Sequence, residues 1–215
     1  MAQKPKLSRE RRLTILEAAA EVIAERGLCD TRISDVAERA GASAALIIYY
    51  FTSKDQLLTE ALAHAEDRFY LDTFHELTAL EGATQRLVRL IEMSCPVPDR
   101  AEDLVGDWTL WIELWSRALR DPEAAKKRAA LDRRWRWTIA DIVRSGQRSG
   151  EFAQVDADDF AVSFAGLVDG LALQVVLSDD DVSWGRMRDL CLDLAARELG
   201  FDRRSVQAGV ATAEK

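Results

Sequence analysis

The stretch from Ile33 to Lys54, ISDVAERAGASAALIIYYFTSK, decides the fold that we expect for this chain. Its first half repeats small apolar residues at helical spacing between Val36 and Ala40, which predicts a short helix with one buried face. Gly41 then interrupts the pattern where a tight turn needs a positive φ, and glycine adopts that conformation without steric cost. A helix followed by a glycine turn is therefore expected here.

The second half of the stretch predicts another short helix. Ser43 can act as its N-cap, and the helix would run from Ala44 to Tyr50 with Ile47 and Phe51 on its inner side. Helix, turn, N-cap and helix form a helix-turn-helix, the unit that lays its second helix in the major groove of DNA. A helical hairpin without a DNA role has the same spacing, so the spacing leaves both interpretations open.

Length and composition describe a globular, helical protein. The 215 residues suffice for one or two domains with a sizeable core, and 48% are hydrophobic while 31% are charged. Only four prolines occur and long segments repeat at helical spacing, so we expect an all-α fold. We find no run of about eighteen uncharged apolar residues and no apolar core of a secretory signal, so no membrane span is expected.

The cysteines and histidines offer little for a metal site, a cofactor or catalysis. Cys29, Cys95 and Cys191 are far apart and form no paired motif, which favours reduced thiols in a cytoplasmic protein. With only His64 and His75, neither a zinc site nor a histidine-dependent triad is expected. The sequence also has no phosphate-binding loop, nucleophile elbow or HExxH motif, and we predict no enzyme activity.

The charge of the chain is unevenly distributed. The net charge is −8, yet residues 1–12 hold five basic residues and one acid, which leaves −12 on the other 203 residues. A basic N-terminal arm before an acidic body is typical of a DNA-binding head attached to a separate domain. A solvated basic tail is the alternative.

Helical segments follow one another with short connectors. The first is expected from Ser8 to Arg26, with Gly27 ending it. The fourth begins near Thr52, and an apolar stripe from Leu57 to Phe74 extends it beyond the small head. The later helices are expected at residues 83–94, 101–120, 122–149, 156–177 and 183–199.

The residues around the helix-turn-helix resemble the DNA-binding domain of the TetR family of repressors. The matching strings are TRISDVAERAGAS, from Thr31 to Ser43, and YYFTSKDQL, from Tyr49 to Leu57. The resemblance implies a homodimeric repressor that a small molecule releases from its operator in double-stranded DNA. Three positions depart from the usual family pattern: Arg32, Ala42 and Ile48.

The resemblance also implies a division of the chain into domains with about nine helices. We expect a disordered basic arm at 1–7, a three-helix DNA-binding domain at 8–62, a helical bundle for ligand binding and dimerisation at 63–200, and a flexible tail at 201–215. The fourth helix would continue from the second of these segments into the third and link them mechanically.

DNA contacts follow from the resemblance residue by residue. Those expected at phosphates are Thr31, Ser43, Tyr49, Tyr50 and Lys54. Those expected at base edges or in the groove are Arg32, Ser34, Ala44, Ala45 and Leu46. Arginine suits bidentate recognition of guanine, whereas the three apolar residues offer only apolar contact, for instance to thymine methyl groups. Tyr50 suits a core position as well as a DNA contact.

Six tryptophans suggest either an aromatic core or a ligand pocket. Trp108, Trp111 and Trp115 share one helix face, and an aromatic stripe of this kind is more often core than ligand site. The surrounding sequence is nonetheless similar to the betaine-operon (BetI-like) branch of the family, whose named member responds to choline. Because aromatic rings with a carboxylate hold organic cations, an organic cation is one candidate effector. The pocket candidates are Trp108, Trp111, Glu113, Trp115, Trp137 and Asp169.

The last two helices carry apolar stripes that predict a dimer interface. Small residues such as Gly166 and Gly170 would allow two helices to approach closely, and twofold symmetry would give a four-helix interface. An intramolecular core explains the same stripes equally well, and the resemblance favours the dimer. The interface candidates are Phe164, Gly166, Leu167, Gly170, Leu171, Leu190 and Leu194.

Two classes of function therefore remain. The first is a ligand-released transcriptional repressor. The second is a helical ligand-binding protein or enzyme without a DNA role, for which the chain offers no catalytic constellation. A gel shift with the DNA upstream of the chain's own gene would separate them.

Overall fold

The computed structural model describes residues 9–95 and 101–203, with side chains except at 66 and 101–107. Every regular element in these ranges is an α-helix, so the all-α prediction is confirmed. In chain order they are α1 (Arg9–Asp30), α2 (Ile33–Arg39), α3 (Ala44–Phe51), α4 (Lys54–Thr78), α5 (Ala83–Ser94), α6 (Ala101–Ala118), α7 (Pro122–Ser149), α8 (Ala157–Val176) and α9 (Trp184–Leu199). The expected arm at 1–7, the expected first residue of the first helix, Ser8, and most of the tail at 201–215 lie outside the described residues.

The chain divides into two compact units. The first unit contains the N-terminal residues up to Phe69 together with Val105–Arg128, and the second contains Tyr70–Leu104 and the residues from Ala129 onward. The division falls within α4, which is consistent with a fourth helix that runs beyond the head. A boundary between functional domains near residue 62 stays a prediction.

The first unit contains the expected helix-turn-helix. α1 packs against α2, and α2 packs against α3. Gly41 adopts a φ of 57° in the turn, as predicted. The Oγ of Ser43 accepts a hydrogen bond from the Leu46 amide at 3.1 Å, so Ser43 is the N-cap of α3. Both positions that punctuate the motif in the sequence therefore have their predicted roles.

Apolar side chains from four helices hold the head together. The fully buried members include Ile15, Ile23, Val36, Ile47, Phe51, Leu57, Leu58 and Leu62. α1 bends at Gly27, where φ is 77° and ψ is 163°, and continues to Asp30. The predicted helix end at Gly27 therefore appears as a kink.

The second unit is built on α9, which packs against both α5 and α8. Cys95 and Cys191 are buried free thiols there, and a hydrogen bond between them together with burial raises the pKa of Cys95. Glu151 accepts hydrogen bonds from the amides of Ala83 and Thr84 at 3.0 and 2.9 Å and so caps α5. Burial opposes ionisation of Glu151, but these bonds outweigh it and lower its pKa to about 2.

The helix α8 is apolar on its inner face and on much of its outer face. Its length and composition would suit a membrane span, although core helices of globular proteins have the same properties. Its inner residues, including Phe160 and Phe164, whose rings stack at 5.4 Å, are buried within the unit. Packing therefore accounts for the inner face, and the outer face needs a separate explanation.

The apolar stripe of α4 changes its register. Leu57, Leu58 and Leu62 are buried as expected, but Phe74 is exposed. Beyond Phe69 the buried positions are instead Tyr70, Thr73 and Leu77, which repeat at i, i+3 and i+7. The prediction for Phe74 was therefore wrong, because the buried face of a long helix turns as the helix leaves one unit and enters another.

Candidate functional site

The outward face of α3 is apolar. Ala44, Ala45, Ile48 and Tyr49 are exposed, and the last two each keep 42% of their surface accessible. These positions are spaced i, i+1, i+4 and i+5, so they form one continuous surface. Leu46, which we expected in the groove, is half-buried at the side of this surface. Ile48 takes its place, and the helical spacing from Ala44 could have identified it.

Arg32 and Ser34 lie at the start of α2. Arg32 is the N-cap residue by backbone position, its side chain makes no cap hydrogen bond, and it is exposed. No ion pair or hydrogen bond of its guanidinium is found among the described residues. Ser34 is also exposed, with its hydroxyl 3.4 Å from a carboxylate oxygen of Asp35. Both side chains are accessible to solvent, and their contacts in the DNA groove stay predictions.

Thr31 does not fit the predicted phosphate contact. Its side chain is fully buried, and its hydroxyl donates to the carbonyl of Gly27 at 2.8 Å. The hydroxyl therefore satisfies a backbone acceptor at the kink of α1 and is not available to DNA in this conformation. The predicted phosphate contact of Thr31 is therefore corrected.

The remaining phosphate candidates surround the second helix of the motif. Ser43 is exposed at the N-terminus of α3, and Lys54 opens α4 with its Nζ 3.3 Å from the carbonyl of Cys29. Tyr49 and Tyr50 contact each other edge to face, with ring centroids 5.0 Å apart. Tyr50 is half-buried, which agrees with a side chain that has both a packing role and an accessible edge.

Several basic residues near the N-terminus are engaged inside the head. Arg11 donates to the carbonyl of Gly41. Arg12 pairs with Glu60, and its guanidinium lies 4.6 Å from the centre of the Phe51 ring. Three of the five basic residues counted at 1–12 therefore belong to α1, and two of them, Arg11 and Arg12, stabilise the helix-turn-helix. The basic residues before Arg9 lie outside the described residues.

The helix α6 carries the tryptophan face in the first unit. Trp108 is buried, while Trp111 and Trp115 are half-buried with ring centroids 6.0 Å apart. The indole Nε1 of Trp115 is buried and has no hydrogen-bond partner among the described residues. Buried donors are normally paired, so this atom marks a place where an acceptor from a ligand or from water would be favourable.

Glu113 does not belong to the tryptophan face. It lies two residues from both Trp111 and Trp115, roughly 200° around the helix. Its Oε1 accepts the backbone N–H of Leu28 at 3.1 Å, next to the kink at Gly27. The predicted role of Glu113 as a ligand carboxylate is therefore corrected, because this oxygen holds the end of α1.

The other two pocket candidates lie in the second unit. Trp137 on α7 is 63% exposed, so it does not form the wall of an enclosed pocket, and that prediction is corrected. Solvent exposure follows from its helical register, since Ile139, Ala140 and Val143 form the buried side of α7. Asp169 on α8 is half-buried and engaged by another group.

The predicted interface residues of α8 fall on two opposite faces. Phe164 and Leu171 are buried within the unit, so they belong to its core and their assignment to the interface is corrected. Gly166 and Gly170 are exposed, and a side-chain carbon at either position would meet no atom of another element within 4 Å. Leu167 and Leu194 are half-buried, and Leu190 is exposed.

The outer face of α8 continues beyond the two glycines. Val162 and Leu177 are 56% and 70% exposed, and with Gly166, Gly170 and Leu173 they form one stripe along the helix. An uninterrupted stripe of apolar and small residues on a protein surface is typical of an interaction site.

Comparisons with known proteins agree with both halves of this description. Residues 15–61 match the family of bacterial regulatory proteins named tetR, and residues 83–200 match the C-terminal domain of BetI-type transcriptional repressors. The HTH-type transcriptional regulator BetI 1 of Chromohalobacter salexigens is 26% identical over 198 residues, which cover 91% of this chain and 94% of that protein.

Solved structures add two similar proteins. A transcriptional regulator from Saccharomonospora viridis, crystallised in complex with choline, is 34% identical with a TM-score of 0.81 and covers 89% of this chain and 98% of that one. A TetR-family regulator from Rhodococcus sp. is 30% identical with a TM-score of 0.75 and covers 89% and 100%. The BetI-type match covers more than half of this chain and gives it a BetI-type C-terminal domain. The chain therefore belongs to the TetR family of ligand-responsive, DNA-binding transcriptional regulators, which are not enzymes.

Proposed function

We propose that this chain is a homodimeric cytoplasmic repressor that leaves its operator when a small organic cation of the choline type binds. The observation that carries the proposal is the helix-turn-helix, in which Ser43 fixes the start of α3 while the outward face of α3 stays exposed. A dimer would present two such helices about 34 Å apart, one helical turn of DNA. The apolar outer face of α8 supports the dimer, because a protomer leaves it uncovered.

Phosphate contacts would set the register on DNA. The exposed face of α3 is surrounded by the phosphate candidates Ser43, Tyr49, Tyr50 and Lys54. Lys54 adds a positive charge where the N-terminus of α4 already favours an anion. Arg32 and Ser34 would approach base edges from the start of α2. Thr31 is not part of this set, because it is buried.

Lys54→Ala should weaken operator binding by a similar factor for all operator variants, because a phosphate contact carries no base information. It should also reduce the slope of log affinity against log salt concentration by about one unit. Binding titrations at several salt concentrations measure both effects. Lys126→Ala, which removes an exposed charge that pairs with Glu123 on α7, serves as the control and should leave the slope unchanged. A change of base preference at one operator position, with an unchanged slope, would contradict the role given to Lys54.

An organic cation is the effector class that the residues of α6 favour. Trp111 and Trp115 present adjoining half-buried rings, and aromatic faces attract quaternary ammonium groups. The partnerless Nε1 of Trp115 would donate to an oxygen of the same ligand. A cation with a nearby hydroxyl or carboxylate suits both features, and the relative from Saccharomonospora viridis was crystallised with choline.

The two faces of α6 offer a path from effector to DNA. The tryptophans occupy one face, and Glu113 on the other holds the amide of Leu28. The next residue, Cys29, accepts the hydrogen bond from Lys54. A shift of α6 on effector binding would therefore move the segment that positions a phosphate contact. Such coupling is reciprocal, so operator DNA should weaken effector binding by the same factor.

Choline should release the wild-type protein from the DNA upstream of the protein's own gene. The variants Trp111→Ala and Trp115→Ala should bind that DNA normally but need about tenfold more choline for release. Gel shifts measure release, and calorimetry measures choline binding to free and DNA-bound protein. Trp137→Ala, an exposed tryptophan outside the proposed pocket, should behave like the wild type. If choline bound free and DNA-bound protein equally well, it would not be the effector. If no specific DNA complex formed, the repressor proposal itself would fail.

A further inference from the structure

The outward face of α3 lacks the groups that usually read DNA bases. The helix sequence AALIIYYF contains no charged, amide or small hydroxyl side chain, and its exposed members are Ala44, Ala45, Ile48 and Tyr49. The Tyr49 hydroxyl is the one polar group on this face. Direct hydrogen bonding to base edges from α3 is therefore nearly absent, although α3 is the helix that enters the groove under the proposed function.

We propose that α3 recognises thymine methyl groups by apolar contact, with Ile48 as the residue that determines this specificity. The 5-methyl group of thymine is the apolar feature of the major-groove edge, where guanine, cytosine and adenine present polar atoms. An apolar side chain pressed against those atoms would remove their water without replacing its hydrogen bonds. The same face thus favours thymine and penalises G·C pairs.

The structure explains why Ile48 is the central residue of this face. Its neighbours Ile47 and Phe51 are fully buried, whereas Ile48 keeps 42% of its surface exposed. Isoleucine is branched at Cβ, so its side chain is stiff and little conformational entropy is lost on contact. Ala44 and Ala45, one turn earlier, are small enough to let the helix approach the base edges closely.

The face is also held in a fixed orientation. Ser43 caps the first turn of α3, and the amide of Thr52 donates to the carbonyl of Ile48 at 2.9 Å at its end. The Tyr49 ring lies edge to face against Tyr50. The apolar surface that Ile48 presents therefore keeps its position relative to the phosphate contacts at Ser43 and Lys54, as sequence-specific contact requires.

Modified bases test this proposal directly. The wild-type protein would first select operators from a random DNA duplex library, and each thymine of a half-site would then be replaced by deoxyuridine, which removes only the methyl group. We expect one or two thymines at which this replacement weakens binding about fourfold per methyl. Ile48→Ala should bind the unmodified operator less tightly and lose the sensitivity at one of these positions. At such a position, an operator with cytosine in place of thymine should bind the wild-type protein more weakly, and 5-methylcytosine in its place should recover part of the affinity.

The controls separate failure of this inference from failure of the proposed function. Lys54→Ala should bind more weakly but keep the full sensitivity to deoxyuridine, because it contacts phosphate. Thermal unfolding should show that Ile48→Ala is folded, as expected for an exposed residue. If selected operators bound tightly but showed no sensitivity to deoxyuridine at any position, methyl recognition would be overturned, while the proposed repressor function would stand. An equal sensitivity in Ile48→Ala and wild type would overturn the role of Ile48, and a failure to select any operator would overturn the proposed function.

Discussion

Gly166→Leu is expected to convert the proposed dimer into monomers and to weaken operator binding by about 100-fold or more, because two linked half-site contacts would become one. Gly166 lies on the outer stripe of α8 between the exposed Val162 and Gly170. Two helices related by a twofold axis can approach closely at glycines, and a leucine would hold them apart. The fold itself should survive, since the protomer has no neighbouring element within 4 Å of this position.

Light scattering and gel shifts on the same samples measure this effect. Gly185→Leu is the matched control, because Gly185 is another exposed helical glycine, in the first turn of α9 and outside the proposed interface. It should remain dimeric and bind DNA. A Gly166→Leu protein that stayed dimeric with full affinity would place the interface elsewhere, and a monomeric wild type at micromolar concentration that still bound operator would refute the dimer.

Gly146→Ala is expected to cost about 2 kcal/mol of unfolding free energy, the balance of overpacking of about 3 kcal/mol and a helix-propensity gain of about 1 kcal/mol. An added Cβ would lie 2.1 Å from Cδ2 of Phe152, which is too close for both atoms to keep their places. The Phe152 ring is buried and lies 5.7 Å from the Phe201 ring, so it cannot move freely. The second unit should therefore lose stability while the helix-turn-helix residues stay unchanged.

Urea unfolding measures the loss. Gly185→Ala makes the same chemical change in α9, where the new carbon would have only ordinary contact with Ser183 at 3.9 Å, and it should be neutral or slightly stabilising. If the wild type and Gly146→Ala unfolded at the same urea concentration, Phe152 would have an alternative position of similar energy.

Local signals accounted for most of the fold. The turn at Gly41 and the cap at Ser43 depend on residues that are close in sequence, and both formed as expected. The helices from α5 to α9 likewise began and ended close to the predicted positions, because prolines, glycines and capping residues mark their ends. These features follow from backbone chemistry within a few residues and need no knowledge of tertiary contacts.

The site was less predictable because its details depend on tertiary partners. Glu113 was grouped with the tryptophans by proximity in sequence, but its oxygen binds an amide 85 residues earlier. Thr31 resembled a phosphate-binding residue, but it is buried and its hydroxyl donates to the carbonyl of Gly27. The helix α8 has two apolar faces, and composition does not reveal which of them packs within the protomer. Ile48 was missed in favour of Leu46, although its spacing from Ala44 could have placed it on the outward face.

The hydrogen bond from the Leu28 amide to Glu113 gives this protein an intrinsic probe of its own regulation. An amide held in this way exchanges its hydrogen with solvent only when the bond opens. The exchange rate of this one amide therefore measures how often α6 releases the kink of α1. Under the proposed coupling, the free, operator-bound and effector-bound forms would differ in that rate. The population of each conformation could therefore be followed without altering any residue that contacts DNA or effector.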